Sequence, residues 1–272
     1  MTEYLMYIDG EFCEASDGGR FESINPATGL VWATAPAATE EDVDRAVQAA
    51  RRALHDGEWA TMTATQRGKA LFRLADLVEE HAAVLGSVET TDSGKLAVET
   101  RGQSAYVAEY YRYYGGLADK IQGATLPMDK PDMHVYTLRE PIGVVAGVVP
   151  WNAEMLLTAT KAAPALAAGN TVVIKSSEEA PAPVLEFARL VDEAGFPPGV
   201  FNLSPASANR ADGRSPATRW SAGCRSREAS MPHAMWSPTR PTTSPTCLWN
   251  SGASLRSSSS TTPTSKVPSM VP

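Results

Sequence analysis

Two short polar segments near the middle of the chain hold the residue types best suited to chemistry. Pro150, Trp151 and Asn152 follow one apolar run, and Lys175–Glu178 follows the next. An asparagine amide can donate a hydrogen bond to a developing oxyanion. A lysine and a glutamate three residues apart in one loop can both reach the ribose hydroxyls of a dinucleotide. The two segments are therefore candidates for an oxyanion site and a nucleotide site.

Each candidate also has an ordinary structural interpretation. Asn152 could cap the helix that follows it, and Lys175 with Glu178 could form a surface ion pair. No GxGxxG motif follows any predicted strand, so the common dinucleotide fingerprint is absent. For isolated residues the structural interpretations are the more common ones.

The apolar runs before these segments are typical of strands buried on both faces of a parallel sheet. They are Ile142–Val149 (IGVVAGVV) and Thr171–Ile174 (TVVI), and Val200–Leu203 begins a third strand. Helices are predicted between them, over 156–166 and 182–194. This alternation predicts half of a nucleotide-binding sheet, whose ligand binds at the carboxyl ends of the strands.

The residues before this sheet predict a hairpin followed by helices. Tyr4–Phe12 contains two strand-like stretches joined by Asp9-Gly10, a dipeptide typical of hairpin turns. Three helices are predicted: one capped at Thr39 and running through Leu54, one over about 65–85, and one over about 97–114. Gly115-Gly116 is expected to end the third helix.

Composition limits the class of protein. The chain has 272 residues, a net charge of −7 and 43% apolar residues, which suits one large domain or two ordinary ones with a real core. No apolar run approaches the roughly 20 residues of a membrane span, and Met1–Glu3 lacks the features of a signal peptide. Cys13, Cys224 and Cys247 form no CxxC pair. We expect a soluble, cytoplasmic protein without a membrane partner and without a metal site.

The segment Pro150–Pro181 (PWNAEMLLTATKAAPALAAGNTVVIKSSEEAP) closely resembles the cofactor-domain core of the NAD(P)-dependent aldehyde dehydrogenases. The resemblance continues through Glu140–Val145 (EPIGVV), Gly195–Leu203 (GFPPGVFNL) and Thr91–Lys95 (TDSGK). It covers about residues 4–203, and PWN with IKSSE at this spacing is highly specific.

The resemblance implies an incomplete α/β fold of the aldehyde dehydrogenase type. Residues 1–136 would form the N-terminal hairpin and helices, and residues 137–203 the first βαβαβ unit of a Rossmann-like cofactor domain. Residues 204–272 would lie outside the family fold and be disordered. A homo-oligomer is expected for the intact family fold, but not for this fragment.

The resemblance also implies roles for individual residues. Asn152 matches the asparagine that stabilises the oxyanion of the thiohemiacetal, and Lys175 and Glu178 match the residues that hold the adenosine ribose. Trp151 would line the cofactor cleft. The negative charge of Glu178 favours NAD over NADP, which stays possible, because a 2′-phosphate would meet that charge. The full set of expected cofactor-binding residues is Val149, Pro150, Trp151, Asn152, Lys175, Ser177 and Glu178.

The family oxidises small-molecule aldehydes to carboxylates through a cysteine thioester, with a glutamate as general base. Neither residue lies in the matching region. Cys13 is in the N-terminal hairpin region, where an ordinary structural role is the more common one, and Cys224 and Cys247 are in the tail. We therefore expect an oxidoreductase by family whose chain, as it stands, is inactive. The alternative is a truncated, non-catalytic nucleotide-binding fragment.

The tail from Ser204 to Pro272 has an anomalous composition. Ser, Thr and Pro make up 33 of its 69 residues, yet it contains three of the six tryptophans, which disordered segments usually lack. It carries 8 basic and 2 acidic residues. A genuine basic, disordered segment that binds nucleic acid is one interpretation, but the charge is spread without a Lys/Arg block. We expect no nucleic-acid partner.

A shifted reading frame explains the tail better. Trp249 is encoded by TGG and every Asn250 codon begins with AA, so the shifted codon at that junction reads GAA, glutamate. Cys247–Arg256 can then yield SLEFGGKSP, which fits the family motif around the general base, and Cys224–Ala229 can yield FTGS. We expect a one-base shift near codon 203 or 204 of the gene.

Overall fold

A computed structural model describes residues 1–205 and the two residues 248–249. None of the helices in these residues is long and apolar enough to cross a membrane. The strands are β1 (Thr2–Glu3), β2 (Met6–Ile8), β3 (Glu11–Cys13), β4 (Arg20–Asn25), β5 (Leu30–Pro36), β6 (Thr125–Leu126), β7 (Val135–Tyr136), β8 (Val144–Val148), β9 (Thr171–Ser176), β10 (Phe201–Pro205) and β11 (Leu248–Trp249). The α-helices are α1 (Glu40–His55), α2 (Glu58–Thr61), α3 (Ala64–Glu80), α4 (Ala82–Ser93), α5 (Ala97–Leu117), α6 (Glu154–Ala167) and α7 (Ala182–Glu193).

The largest sheet has the strand order β11-β8-β9-β10-β2-β3 within the described residues. Strands β8, β9 and β10 are parallel, and α6 and α7 form the two crossovers between them. The predicted strand–helix–strand–helix–strand unit is therefore confirmed, with bounds that differ by a few residues. The expected fold class, the α/β fold of the aldehyde dehydrogenase type, is confirmed with it.

Both faces of this sheet are covered, as the continuous apolar runs predict. Every residue of β9 and β10 is buried. One face packs against α1, where Ala46 and Ala50 meet Val173. The other face packs against α6 and α7, and α3, α4 and α5 form a further layer over those helices.

The N-terminal hairpin is confirmed, and it extends the same sheet. Asp9 and Gly10 have φ angles of 58° and 80°, the left-handed conformation that a two-residue hairpin turn requires. Strand β2 then pairs antiparallel with β10, with Tyr7 opposite Leu203. The hairpin therefore packs beside the βαβαβ unit, and the division of the chain at residues 136 and 203 stays a prediction.

The prediction of a single second helix over about 65–85 is wrong. Two helices occupy the region, because His81 has a ψ angle of 10° and ends α3 while it begins α4. Leu85, which lies after this break, is also buried. The apolar pattern therefore continues across the break and does not reveal where one helix ends and the next begins. The first predicted helix is confirmed: Thr39 caps α1 and exchanges hydrogen bonds with Asp42.

The predicted end of the third helix at Gly115-Gly116 is also wrong, because α5 continues to Leu117. Gly115 serves the contact between two helices. A Cβ atom placed on Gly68 of α3 would lie 2.6 Å from the carbonyl oxygen of Gly115. A Cβ atom on Gly115 would lie 3.2 Å from the carbonyl oxygen of Gly68. The two glycines allow α3 and α5 to touch backbone to backbone.

We predict that Gly68→Ala lowers the free energy of unfolding by about 2 kcal/mol, because the new methyl group must push the two helices apart. Gly102→Ala is the matched control. Gly102 lies in α5 with no atom within 4 Å of its Cβ position, so the change should stabilise the helix by about 0.5–1 kcal/mol. Urea unfolding of both variants measures the two effects. A Gly68→Ala protein as stable as the wild type would contradict the close contact.

Candidate active site

The register between β8 and β9 brings the two polar segments together. Val148 lies opposite Lys175, and the backbone amide of Val149 donates a hydrogen bond of 2.9 Å to the carbonyl oxygen of Lys175. Val149 is buried, so this bond is shielded from water. The chain leaves the sheet directly after these residues. Pro150–Asn152 and Ser177–Glu178 therefore begin at the same edge of the sheet, as the sequence predicts.

Asn152 is exposed, and its side chain makes no hydrogen bond within the described residues. The interpretation of Asn152 as a helix cap is wrong, because Ala153 occupies the N-cap position of α6 and no side chain caps that helix. Trp151 beside it is 53% exposed. The amide of Asn152 is thus available to a ligand at the edge of the sheet.

Lys175 and Glu178 form an ion pair of 2.9 Å between Nζ and Oε2. The interpretation of this pair as a surface pair is wrong, because the two side chains are only 9% and 23% exposed. Ser177 shapes the same loop: its Oγ accepts a hydrogen bond of 3.2 Å from the amide of Glu179. Within the described residues, the bond to Glu178 is the one hydrogen bond that the ammonium of Lys175 makes.

Asp92 of α4 anchors the helix that follows this loop, and the sequence gives no sign of that role. Its Oδ2 accepts a hydrogen bond of 2.8 Å from the amide of Ala182, the first residue of α7. Its Oδ1 accepts from Nε1 of Trp32, at 2.9 Å, and from the hydroxyl of Ser23. Burial raises the pKa of Asp92, and these three donors lower it in part. Asp92 thereby joins β4, β5 and α7.

Cys13 does not lie near this edge. It is on β3, at the opposite end of the sheet from β8, and Arg45 donates a hydrogen bond of 3.1 Å to its sulfur. Burial raises the pKa of the Cys13 thiol, although the charge of Arg45 lowers it in part, so the reactive thiolate is disfavoured. Among the described residues, no group of three or more His, Cys, Asp or Glu side chains is arranged to hold a metal ion.

The remaining predictions about the tail fall outside the described residues. They are the thiols of Cys224 and Cys247, the shifted reading frame, and the disorder of residues 204–272. Of the tail, the structure describes only Ser204, Pro205 and the strand at 248–249. The roles given to Asn152, Lys175 and the other site residues stay predictions. Their position at one edge of the sheet is the structural result.

The sequence is similar to known aldehyde dehydrogenases. Residues 12–213 match the family described as "Aldehyde dehydrogenase family". The (Z)-2-((N-methylformamido)methylene)-5-hydroxybutyrolactone dehydrogenase of Acinetobacter baylyi is 59% identical over 204 residues, which are 75% of this chain and 41% of that protein. The putative aldehyde dehydrogenase DhaS of Bacillus subtilis is 44% identical over 74% of this chain and 40% of its own length.

Solved structures show the same similarity. The NAD⁺ complex of an aldehyde dehydrogenase from Bacillus cereus superposes with a TM-score of 0.74 at 43% identity, over 76% of this chain and 42% of that one. An NAD-dependent aldehyde dehydrogenase from Sinorhizobium meliloti gives a TM-score of 0.77 at 32% identity, over 81% and 43%. The chain spans about two fifths of the length of these relatives.

We predict that Asp92→Ala lowers the free energy of unfolding by roughly 3 kcal/mol, because it leaves the buried donors of Ser23 and Ala182 without their acceptor. Asp132→Ala, which truncates an exposed aspartate, is the control and should change stability by less than about 0.5 kcal/mol. Urea unfolding followed by tryptophan fluorescence measures both. Equal stability of the two variants would show that Asp92 anchors nothing.

Proposed function

The chain belongs to the aldehyde dehydrogenase family, and on this basis we propose that it forms the dinucleotide-holding part of an enzyme that oxidises an aldehyde to a carboxylate with NAD⁺. One observation carries the proposal. The hydrogen bond from Val149 to Lys175 sets the segment of Asn152 beside the Lys175–Glu178 loop, at the edge where parallel α/β sheets bind nucleotides.

The Lys175–Glu178 pair is suited to an adenosine ribose. The ammonium of Lys175 can donate to a ribose hydroxyl, and the carboxylate of Glu178 can accept from one. The buried stem of Lys175 keeps the ammonium from moving away when the ligand leaves. The residues present therefore fit a dinucleotide, with Trp151 and Pro150 beside it and buried Val149 beneath them at the same edge of the sheet.

The charge of Glu178 supports NAD over NADP. A 2′-phosphate on the adenosine ribose would bring a second negative charge against this carboxylate, which already pairs with Lys175. NADP would require that pair to open. The solved relative from Bacillus cereus is an NAD⁺ complex.

Asn152 would act on the aldehyde end of the reaction. When a nucleophile attacks an aldehyde carbon, negative charge develops on the oxygen, and an N–H donor fixed in advance stabilises it. The side-chain amide of Asn152 is free to make that bond, as its exposure and lack of a partner in the described residues indicate. The dinucleotide, when bound, supplies the hydride acceptor. The thiol nucleophile and the general base would come from residues outside the described part.

A second candidate function is a nucleotide-binding piece without turnover. It is favoured by the state of Cys13, which is the only thiol among the described residues and lies at the far end of the sheet with a raised pKa. Both candidates require a dinucleotide at the Lys175–Glu178 loop. They differ in whether an aldehyde is oxidised.

We predict that Lys175→Ala weakens NAD⁺ binding about tenfold, because one charge-assisted hydrogen bond to the ribose is lost. Lys69→Ala, which removes an exposed lysine of α3, should leave the affinity unchanged. Isothermal titration calorimetry with NAD⁺ on the 272-residue chain measures both. Equal affinities of the wild type and Lys175→Ala would remove the ribose-binding role.

We predict that Asn152→Ala lowers the rate of acylation about a hundredfold in an enzyme made by restoring the reading frame after codon 203, because an oxyanion donor is lost. Asn152→Asp keeps the size of the side chain but removes the N–H donor, so it should lower the rate of acylation at least as much. The burst of NADH formation measures the rate. Unchanged acylation in either variant would refute the role, and unchanged NAD⁺ affinity is the control for folding.

A further inference from the structure

Glu154 is a buried carboxyl group that the proposed reaction does not use. It is the first residue of α6, two positions after Asn152, and it is 1% exposed. Neither carboxylate oxygen makes a hydrogen bond of ordinary geometry within the described residues. A charged carboxylate in such a place would lose its hydration without replacement, which is strongly unfavourable.

Among the described residues, the charged groups around Glu154 do not supply an unpaired cation. Glu89 and Asp92 of α4 face it, and both add negative charge. The ammonium of Lys95 forms an ion pair with Glu89, with 2.7 Å between Nζ and Oε1. Lys175 of β9 also faces Glu154, but its ammonium pairs with Glu178 at 2.9 Å.

The pKa of Glu154 therefore lies well above its usual range. Burial is the largest cause, and the charges of Asp92 and Glu89 raise the pKa further. The backbone amide of Ser177 and the charge of Lys175 lower it only in part. Glu154 holds its proton to a higher pH than an exposed glutamate does.

Glu154 also lies where three parts of the proposed site meet. The backbone of Glu154 continues the segment of Asn152. The amide of Ser177, in the Lys175–Glu178 loop, faces the carboxyl group of Glu154, and the two neighbouring acids belong to α4. A neutral carboxyl group can pack in this position. A charged one would be repelled by Glu89 and Asp92 and would push the segments apart.

We infer that Glu154 is a positioning residue: its uncharged carboxyl group keeps the Asn152 segment and the Lys175–Glu178 loop seated against α4, and its ionisation loosens both. Because the folded state favours the proton, this contribution to stability is present at low pH and is lost as the pH rises through the pKa of folded Glu154. The effect on dinucleotide binding rests on the proposed function. The effect on the two segments does not.

The test compares the full 272-residue chain with Glu154→Gln, a neutral residue of the same size, and with Glu179→Gln, the control at an exposed position of the same loop. Hydrogen-exchange protection factors of residues 150–156 and 175–181 are measured between about pH 6 and pH 9. We expect protection to fall about tenfold with rising pH in the wild type and in Glu179→Gln, and to stay constant in Glu154→Gln. Parallel pH profiles of the wild type and Glu154→Gln would overturn the inference.

Two further measurements keep the inference testable. If Glu154→Gln does not fold, ¹³C NMR titration of the wild-type carboxyl groups decides the question, because the pKa of Glu154 should lie well above the ordinary range of a glutamate, and a midpoint within that range would overturn the inference. NAD⁺ affinity should weaken with rising pH in the wild type and stay constant in Glu154→Gln. No NAD⁺ binding by any variant at any pH would contradict the proposed function, while the exchange data still decide the role of Glu154.

Discussion

The hydrogen bond between the amide of Val149 and the carbonyl of Lys175 is the interaction on which the candidate site depends. Two neighbouring parallel strands must present their carboxyl ends at the same edge, and their register sets which residues meet there. With Val148 opposite Lys175, the loops that follow β8 and β9 begin next to each other at the same edge of the sheet. A shift of one residue would turn the Lys175 side chain to the other face of the sheet and separate it from the segment of Asn152.

The helices of the outer layer are held by close contacts. The carboxylate of Asp92 receives hydrogen bonds from β4, β5 and the start of α7. Gly68 and Gly115 bring the backbones of α3 and α5 into contact. Both contacts act over short distances. Asp92 holds the start of α7, the helix that follows the loop of Lys175–Glu178.

The site is rich in carboxyl groups for a place that would bind a dinucleotide. Lys95 and Lys175 pair with Glu89 and Glu178, so two of the negative charges are balanced. Asp92 is satisfied by donors, although burial still raises its pKa. Within the part of the chain that the structure describes, Glu154 has neither an unpaired cation nor a hydrogen-bond donor of good geometry beside it, and its charge is the one that the surroundings oppose. The surroundings therefore raise the pKa of a carboxyl group that the proposed reaction does not use.

The sequence by itself determined the βαβαβ unit, the turn at Asp9-Gly10 and the two polar segments, because apolar runs, turn dipeptides and helix caps are local signals. The resemblance to the family also came from the sequence alone, because it rests on motifs that are a few residues long. Only the tertiary structure decided that His81 divides a helix, that Gly115 is a contact, that Asp92 holds the start of α7, and that Glu154 is buried beside two other acids. The last three depend on residues far apart in the chain, and a periodic pattern does not show which distant backbone or charged group a side chain will contact.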